Sequence, residues 1–271
     1  MALTLEQQQL VKSLEEWYDS EEGAINLQAS AGCGKTSTLC EYAKQHDPTT
    51  VTFLGPTHAS LVQLRQRALE TGYTFMTVAA ALNQFPLFSN IKVEATFASF
   101  GAKQFDGLVI VDESSMLSEY EVKTLIDNCK KVIFSGDSNQ LAPVKKKSGK
   151  SLLMGLPQLT LKTMMRAESQ SLITAGLKAL EYTQYTPNTS EDNTVIRHES
   201  LEGFQQSFWS EVKNYKPGDC VWITRTNTEV QWVNSLAHNI ITGRTWLEPG
   251  DTIRLYATSK LGPNNTLAIV K

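Results

Sequence analysis

Lys35 and the neighbouring carboxylates of Asp112 and Glu113 are the side chains whose types and settings could do chemistry together. Lys35 lies in the string Ala29-Ser30-Ala31-Gly32-Cys33-Gly34-Lys35-Thr36, which follows an apolar run and opens a helical pattern. A phosphate-binding loop needs that context. Glycines let backbone N–H groups point at phosphate oxygens with no Cβ in the way. A helix N-terminus adds partial positive charge. Lys35 would reach the β- and γ-phosphates of a nucleotide, and the Thr36 hydroxyl would ligate Mg²⁺. The stretch from Ala31 through Ser37 is the expected nucleotide cradle, with Ala29 standing where such loops usually begin with glycine.

Asp112 and Glu113 follow Val109-Ile110-Val111. The carboxylates therefore emerge at the C-terminal end of a buried strand, where ligands bind in open α/β sheets. Asp112 suits Mg²⁺, usually through water. Glu113 suits the orientation and polarisation of an attacking water, because phosphoryl transfer is mostly positioning and electrostatics. The plainer alternative is a solvated acidic pair at a strand end. The apolar run before the pair and the phosphate loop upstream favour the catalytic reading.

Such groups need a scaffold, and the hydrophobic pattern supplies one. Leu5, Leu10, Val11, Leu14, Trp17 and Tyr18 recur at helical spacing and predict a helix from Leu5 to Asp19. Thr4 is its N-cap, and Gln7 completes a capping box. Strand-like runs at 24–27, 51–54, 108–111 and 132–134 alternate with helical stretches at 35–45, 59–70 and 118–129. Buried β runs alternating with helices predict a parallel sheet covered on both faces. Residues 84–106 break the alternation and read as a small insertion. Its Phe85, Phe88, Phe97 and Phe100 read first as packing of that insertion, and alternatively as base-stacking or strand-splitting groups. Later come a helix from Ser169 to Tyr182, a polar loop from Thr186 to Asn193, strands at Val195-Ile196 and 220–223, and a helix from Thr228 to Ile241.

The 271 residues make room for one large domain or two modest ones. A charged fraction of 20%, with five Trp and ten Phe, excludes general disorder. The net charge of −3 excludes a protein that holds nucleic acid by bulk positive charge, so any such binding must be local. Between Lys130 and Lys150 there are six lysines and one aspartate, a local charge of +5. This is either a solvated face or the flank of a nucleic-acid groove. The four cysteines show no C-x-x-C spacing, so neither a zinc knuckle nor a redox pair is expected, and scattered thiols suit a reducing cytosol. Met1 to Gln9 has no signal-peptide pattern, and no apolar run approaches the ~20 residues of a membrane span.

With these residues in place, the sequence resembles superfamily-1 helicases of the RecD/Dda-like branch. Asp112-Glu113-Ser114-Ser115-Met116 is similar to the family's motif II, and Gly136-Asp137-Ser138-Asn139-Gln140-Leu141-Ala142-Pro143-Val144 to its motif III. Leu3-Thr4-Leu5-Glu6-Gln7 resembles the Q motif, Gly55-Pro56-Thr57-His58-Ala59 motif Ia, and Thr77-Val78 motif Ib, with Ala79 where the family has histidine. Arg166 sits where motif IV carries its arginine, and Arg225-Thr226-Asn227, with Asn234, resembles a segment of the second motor domain.

The resemblance implies a P-loop NTPase with a RecA-like parallel sheet, ATP and Mg²⁺ as its cofactors, and translocation on single-stranded DNA, usually 5′→3′. Gln7 would hold the adenine edge, a role compatible with the capping box. Gln140 would sense the γ-phosphate and couple it to the DNA path. Arg166 would act as an arginine finger; its alternative is an exposed arginine at a helix start. Pro56, Thr57, His58, Thr77, Lys145, Lys146 and Asn227 are the candidate DNA contacts, although His58 by itself reads as a surface histidine. The expected organisation is a first RecA-like domain over 1–158, a partial second one over 159–249, and the start of an inserted or truncated β domain over 250–271. Nothing resembling the family's motifs V and VI is present. The alternative is therefore a truncated or degenerate relative that binds nucleotide and nucleic acid without unwinding, and this length alone is expected to hydrolyse ATP poorly. Replication or single-strand-binding proteins are the expected further partners, in the cytoplasm.

Overall fold

The structure, a computed structural model, describes residues 3–30, 32–68, 72–89, 92–99, 101–137, 140, 147–163, 198, 200–212, 222, 226–254 and 267–270, with backbone alone at 85–89, 92–99, 227, 252–254 and 267–268. Contacts divide the chain into two units, Met1–Glu168 and Ser169–Lys271.

The first unit opens with α1, Leu5–Tyr18, whose capping box forms as the spacing predicts: the Gln7 N–H donates to the Thr4 hydroxyl, and the Thr4 N–H to Gln7 Oε1. There follow β1 (Ala24–Ala29), α2 (Lys35–Ala43), β2 (Val51–Gly55), α3 (His58–Ala68), β3 (Thr74–Thr77) and the short α4 (Val78–Ala81). The region expected as an irregular insertion is an antiparallel hairpin, β4 (Gln84–Ser89) and β5 (Lys92–Ser99), in its own two-stranded sheet. The phenylalanine side chains of that hairpin lie outside what is described. The unit continues with β6 (Phe105–Val111), α5 (Glu119–Asn128), β7 (Cys129–Gly136), α6 (Lys150–Met154) and β8 (Gln158–Leu161).

Six strands make one sheet in the order β3-β2-β6-β7-β1-β8, every pair parallel. β8 joins this sheet beside β1. The first unit thus runs past the boundary at residue 158 that the sequence suggests, because 158–161 is too short and mixed to stand out as a buried strand.

The continuous apolar runs are explained by burial on both faces. Leu108 and Ile110 point to the layer formed by α1, α2 and α3, with Leu14, Leu39 and Leu64. Val109 and Val111 point the other way, to Val78, Val122, Leu125 and Leu153 on α4, α5 and α6. All four β6 residues are fully buried. Two-sided burial erases the alternation expected of a strand with one wet face.

The second unit contains α7 (Leu201–Val212), α8 (Asn227–Thr242), and the antiparallel pair β9 (Thr252–Arg254) and β10 (Leu267–Ile269). Thr226 caps α8 through a capping box with Glu229. Trp222 collects Phe204, Phe208, Trp209 and Trp232 around it, with ring centroids 4.7–6.4 Å apart. The helix expected at 169–182, the loop at 186–193 and the strands at 195–196 and 220–223 lie outside the described residues, Trp222 excepted. No helix of the described residues is long and apolar enough to cross a membrane.

Candidate active site

In a parallel sheet every strand ends on the same edge. β7 has β6 on one side and β1 on the other. The described residues that follow these three strands include Asp112 and Glu113, Asp137 and Gln140, and Ser30, Gly32, Cys33 and Gly34. Sequence positions more than a hundred residues apart are thereby delivered to one place.

The phosphate loop is shaped by its glycines. Gly32 and Gly34 have φ of 87° and 82°, in the left-handed region that favours residues without a Cβ. A Cβ on Gly34 would also lie 2.5 Å from Gln7 Nε2. Ala29 needs no such freedom. It is the last residue of β1, in register with Leu161 of β8, so an ordinary extended residue serves there. Gly34 caps α2, and Lys35 is that helix's first residue. Lys35 is only 7% exposed, and its Nζ donates to the carbonyls of Ala29 at 2.7 Å and Ser30 at 3.4 Å. Gln7 meets the same loop, its Nε2 lying 3.5 Å from the Cys33 carbonyl. The amide that closes the capping box thus also packs on the cradle.

The Thr36 hydroxyl donates to Asp112 Oδ2 at 2.9 Å. This bond joins the two motifs that the sequence could associate only by type. Asp112 is 6% exposed. Burial pushes its carboxyl above the usual carboxylate range, against the opposing hydrogen bonds from Thr36 and the Glu113 N–H and the nearby charge of Lys35. Glu113 is half-buried and has φ of 56°, left-handed without being glycine. Such a conformation costs of order 1–3 kcal/mol and persists only where its surroundings over-determine it. It begins the 3-10 turn Ser114–Met116.

A linkage argument gives a first prediction. A carboxyl whose folded pKa is raised adds stability only below its unfolded value, and that contribution is lost as pH rises through the folded value. At neutral pH the charged Asp112 therefore opposes folding. Asp112→Asn keeps an oxygen to accept from Thr36 and removes the charge. Thermal melting at pH 7 without metal or nucleotide should show an unchanged or raised midpoint, by up to ~2–4 °C per kcal/mol gained. A fall of several degrees would show that the carboxylate braces the fold.

The loop after β7 folds onto the acidic turn. Gln140 Oε1 accepts from the Ser115 hydroxyl at 3.3 Å, and the Gln140 N–H donates to the Asp137 carbonyl at 3.0 Å. Gly136 allows this approach, since a Cβ there would lie 2.8 Å from Ser114 Oγ. Ser115 has no role readable from sequence; only its place in the Asp-Glu-Ser-Ser-Met string could have flagged it.

The same edge continues through β2 and β3. Pro56 and Thr57 follow β2, His58 is the first residue of α3, and Thr77 ends β3 in register with Gly55. Thr57 and Ser60 exchange hydrogen bonds at the start of α3, and the Thr77 hydroxyl caps α4 by accepting the Ala80 N–H at 3.1 Å. Both threonines thus serve their helices, with Thr57 and His58 exposed.

The lysine cluster is less uniform than its sequence suggests. Lys131 is 8% exposed and donates to the carbonyls of Trp17, Ser20 and Glu22, with its ammonium over the Trp17 ring. Lys147 pairs with Glu119 at 2.6 Å. Lys131 is thereby taken up inside the fold and cannot line a groove, whereas Lys147 stays largely exposed beside its partner. Ala31, Lys145, Lys146 and Arg166, and the side chain of Asn227, lie outside what is described.

The sequence profile of the AAA domain family matches residues 2–191. Comparison with curated proteins found no match. Among solved structures the chain is similar to a Pif1 helicase from a study of DNA unwinding at forked double-stranded DNA by two coordinating Pif1 helicases. That match has 17% identity and a TM-score of 0.58, and covers all of this chain and 71% of that one. Pif1 helicase from Bacteroides, in complex with ADP-AlF₃ and single-stranded DNA, matches with 18% identity and a TM-score of 0.53 over 93% of this chain. Pif1 helicase from Candida albicans matches with 17% identity and a TM-score of 0.55 over 93%. The chain spans 60% and 56% of the length of these two. Likeness at these identities is a likeness of fold.

Proposed function

This chain belongs to the AAA domain family, and from that premise we propose that it is an ATP-dependent helicase or translocase acting on single-stranded DNA with 5′→3′ polarity. One observation carries the reading: three loops converge at one sheet edge. Thr36 there meets Asp112 at 2.9 Å, and Gln140 meets Ser115, two residues beyond the Asp-Glu pair.

The geometry supports the roles of the phosphate loop and the acidic pair, and the motif resemblance supplies the others. Residues 31–37 cradle the phosphates of ATP, with Lys35 exchanging its loop carbonyls for phosphate oxygens. Thr36 and Asp112 would hold Mg²⁺, which supplies charge neutralisation at the phosphate oxygens. Two hard oxygen donors suit an ion that keeps several waters and takes phosphates as further ligands. Glu113 orients the attacking water and draws its proton. Gln140 reads the phosphate end and passes its state to the acidic turn through Ser115. Gln7 holds the adenine edge, and Arg166 stabilises charge on the transferring phosphate. Pro56, Thr57, His58 and Thr77 hold the DNA backbone at the β2 and β3 end of the edge. Lys145, Lys146 and Asn227 join them on the sequence argument alone, as does a cytoplasmic location among replication or single-strand-binding proteins.

Strand displacement from a duplex with a 5′ single-stranded tail tests this reading. Displacement should require hydrolysable ATP and fail on a 3′-tailed duplex. Equal displacement from both tails would overturn the polarity. DNA binding that responds to nucleotide without any displacement would support the binding-only alternative.

A further inference from the structure

Asp112 has a cross-strand neighbour on the sheet face where it meets Thr36. Val111 of β6 is in register with Phe134 of β7, so Asp112 and Ser135 are the next pair along. The strand geometry persists there, since the Asp112 N–H donates to the Leu54 carbonyl of β2 at 2.9 Å. Ile133 packs in the layer of α1, α2 and α3, and Phe134 in the opposite layer. Alternation therefore turns Ser135 to the α2 side, the side on which Thr36 donates to Asp112. On its other flank Ser135 is in register with Leu27 of β1, which is fully buried and apolar.

The Ser135 hydroxyl is fully buried and has no hydrogen-bond partner among the described residues. An unpaired buried hydroxyl opposes folding, so one kept beside Ile133 and Leu27 calls for a ligand. It makes no bond to the Asp112 carboxylate, whose Oδ2 accepts from Thr36 and whose Oδ1 accepts the Glu113 N–H. Neighbouring strands lie about 4.8 Å apart, and two oxygen groups at such a spacing can share one water. Mg²⁺ keeps several waters when it takes a carboxylate and phosphates, and each has two hydrogens to donate.

We propose that Ser135 is a positioning residue for the metal: its Oγ accepts one hydrogen of a Mg²⁺-bound water whose other hydrogen goes to Asp112. The inference deepens the nucleotide-hydrolysing reading given above and rests on it. The hydroxyl fixes the water that links Asp112 to the ion, and with it the place of the ion against Thr36. Outer partners of this kind typically carry roughly 10- to 100-fold in metal affinity. Ser114 supplies an internal comparison, because its hydroxyl is also fully buried and has no partner among the described residues. It stands 2.8 Å from where a Cβ on Gly136 would lie, and alternation turns that Cβ to the face opposite Ser135.

The probe is Mn²⁺, a paramagnetic substitute for Mg²⁺, whose affinity for the full chain saturated with ADP is read from the spin-resonance signal of the free ion. Ser135→Ala should weaken Mn²⁺ about tenfold and leave ADP affinity in EDTA within about twofold. Its melting midpoint without ligands should be unchanged or raised, since an unpaired buried hydroxyl is removed. Ser114→Ala should leave Mn²⁺ affinity within about twofold. Unchanged Mn²⁺ affinity in Ser135→Ala would overturn the proposal. Equal Mn²⁺ losses in the two serine variants, or a loss of metal-free ADP binding as large as that of Mn²⁺, would overturn it in favour of a packing role. A midpoint lowered by several degrees would do the same, by showing that the hydroxyl serves the fold. Thr36→Ala separates the premise from the proposal. It should weaken Mn²⁺ whatever Ser135 does, and if it does not, the assignment of the metal to Thr36 and Asp112 fails instead.

Discussion

Lys35→Ala is expected to remove ATP binding at working concentrations while leaving the protein folded. A charge-assisted contact to phosphate contributes ~1.5–3 kcal/mol, so affinity should fall roughly 10- to 100-fold. Turnover should fall further, because the lysine also counters charge at the transferring group. The fold is spared for a physical reason. Among the described residues Lys35 Nζ donates to the Ala29 and Ser30 carbonyls, and truncation removes a buried cation together with those bonds. Asp112 loses the lysine's opposing charge, so its carboxyl should titrate still higher than in the wild type. Nucleotide titration followed by fluorescence, beside a melting curve, reads both effects. Unchanged ATP affinity and rate would remove the phosphate-loop assignment.

The second large effect is expected at Glu113. Glu113→Gln keeps the side-chain length and meets the same backbone demand at φ 56°. ATP should therefore bind as in the wild type. Hydrolysis should fall ~10²- to 10⁴-fold, the usual contribution of a positioned general base. Single-turnover hydrolysis, measured with nucleotide affinity on the same preparation, separates binding from chemistry. A variant that hydrolyses within a fewfold of wild type would contradict the assignment. One that neither binds nor folds would show instead that the carboxylate holds the turn.

The two effects are distinct because the sheet edge separates the roles. Lys35 and Glu113 lie at the ends of strands that flank β7 from opposite sides. On the proposed reading the first binds phosphate, and the second acts on water. Between them the β7 loop brings Gln140 to Ser115, a contact well placed to register whether phosphate is present.

Sequence carried the central sheet well, since Val109 to Val111 and Val132 to Phe134 are apolar on both faces and bounded by turns. It carried β3 and β8 poorly. Thr74 is exposed and Phe75 to Thr77 are half-buried, and Gln158 to Leu161 mixes exposed and buried residues, so neither strand shows a clean period. The hairpin of β4 and β5 was hidden by Pro86 and by the irregular spacing of Phe85, Phe88 and Phe97. At the site, residue types identified Lys35, Thr36 and Asp112 as candidates and the motif resemblance added Gln140, and the Thr36–Asp112 bond joins two of them. The Ser115–Gln140 bond and the bonds from the Lys162 and Thr163 amides to the Glu6 carboxylate were illegible, because each depends on a partner brought near only by strand order. The lysine run misled in part for the same reason. Lys131 alternates inward on β7 and is used up on carbonyls from the end of α1 and the residues after it.

Nucleotide hydrolysis at this sheet edge is expected to be coupled to nucleic acid held along the same edge. Steady-state ATP hydrolysis with and without single-stranded DNA tests it most directly. DNA should raise the rate severalfold or more, and Gln140→Ala should remove the stimulation while retaining ATP binding. A rate that is the same with and without DNA, over a range of low salt where phosphate contacts are strong, would contradict it.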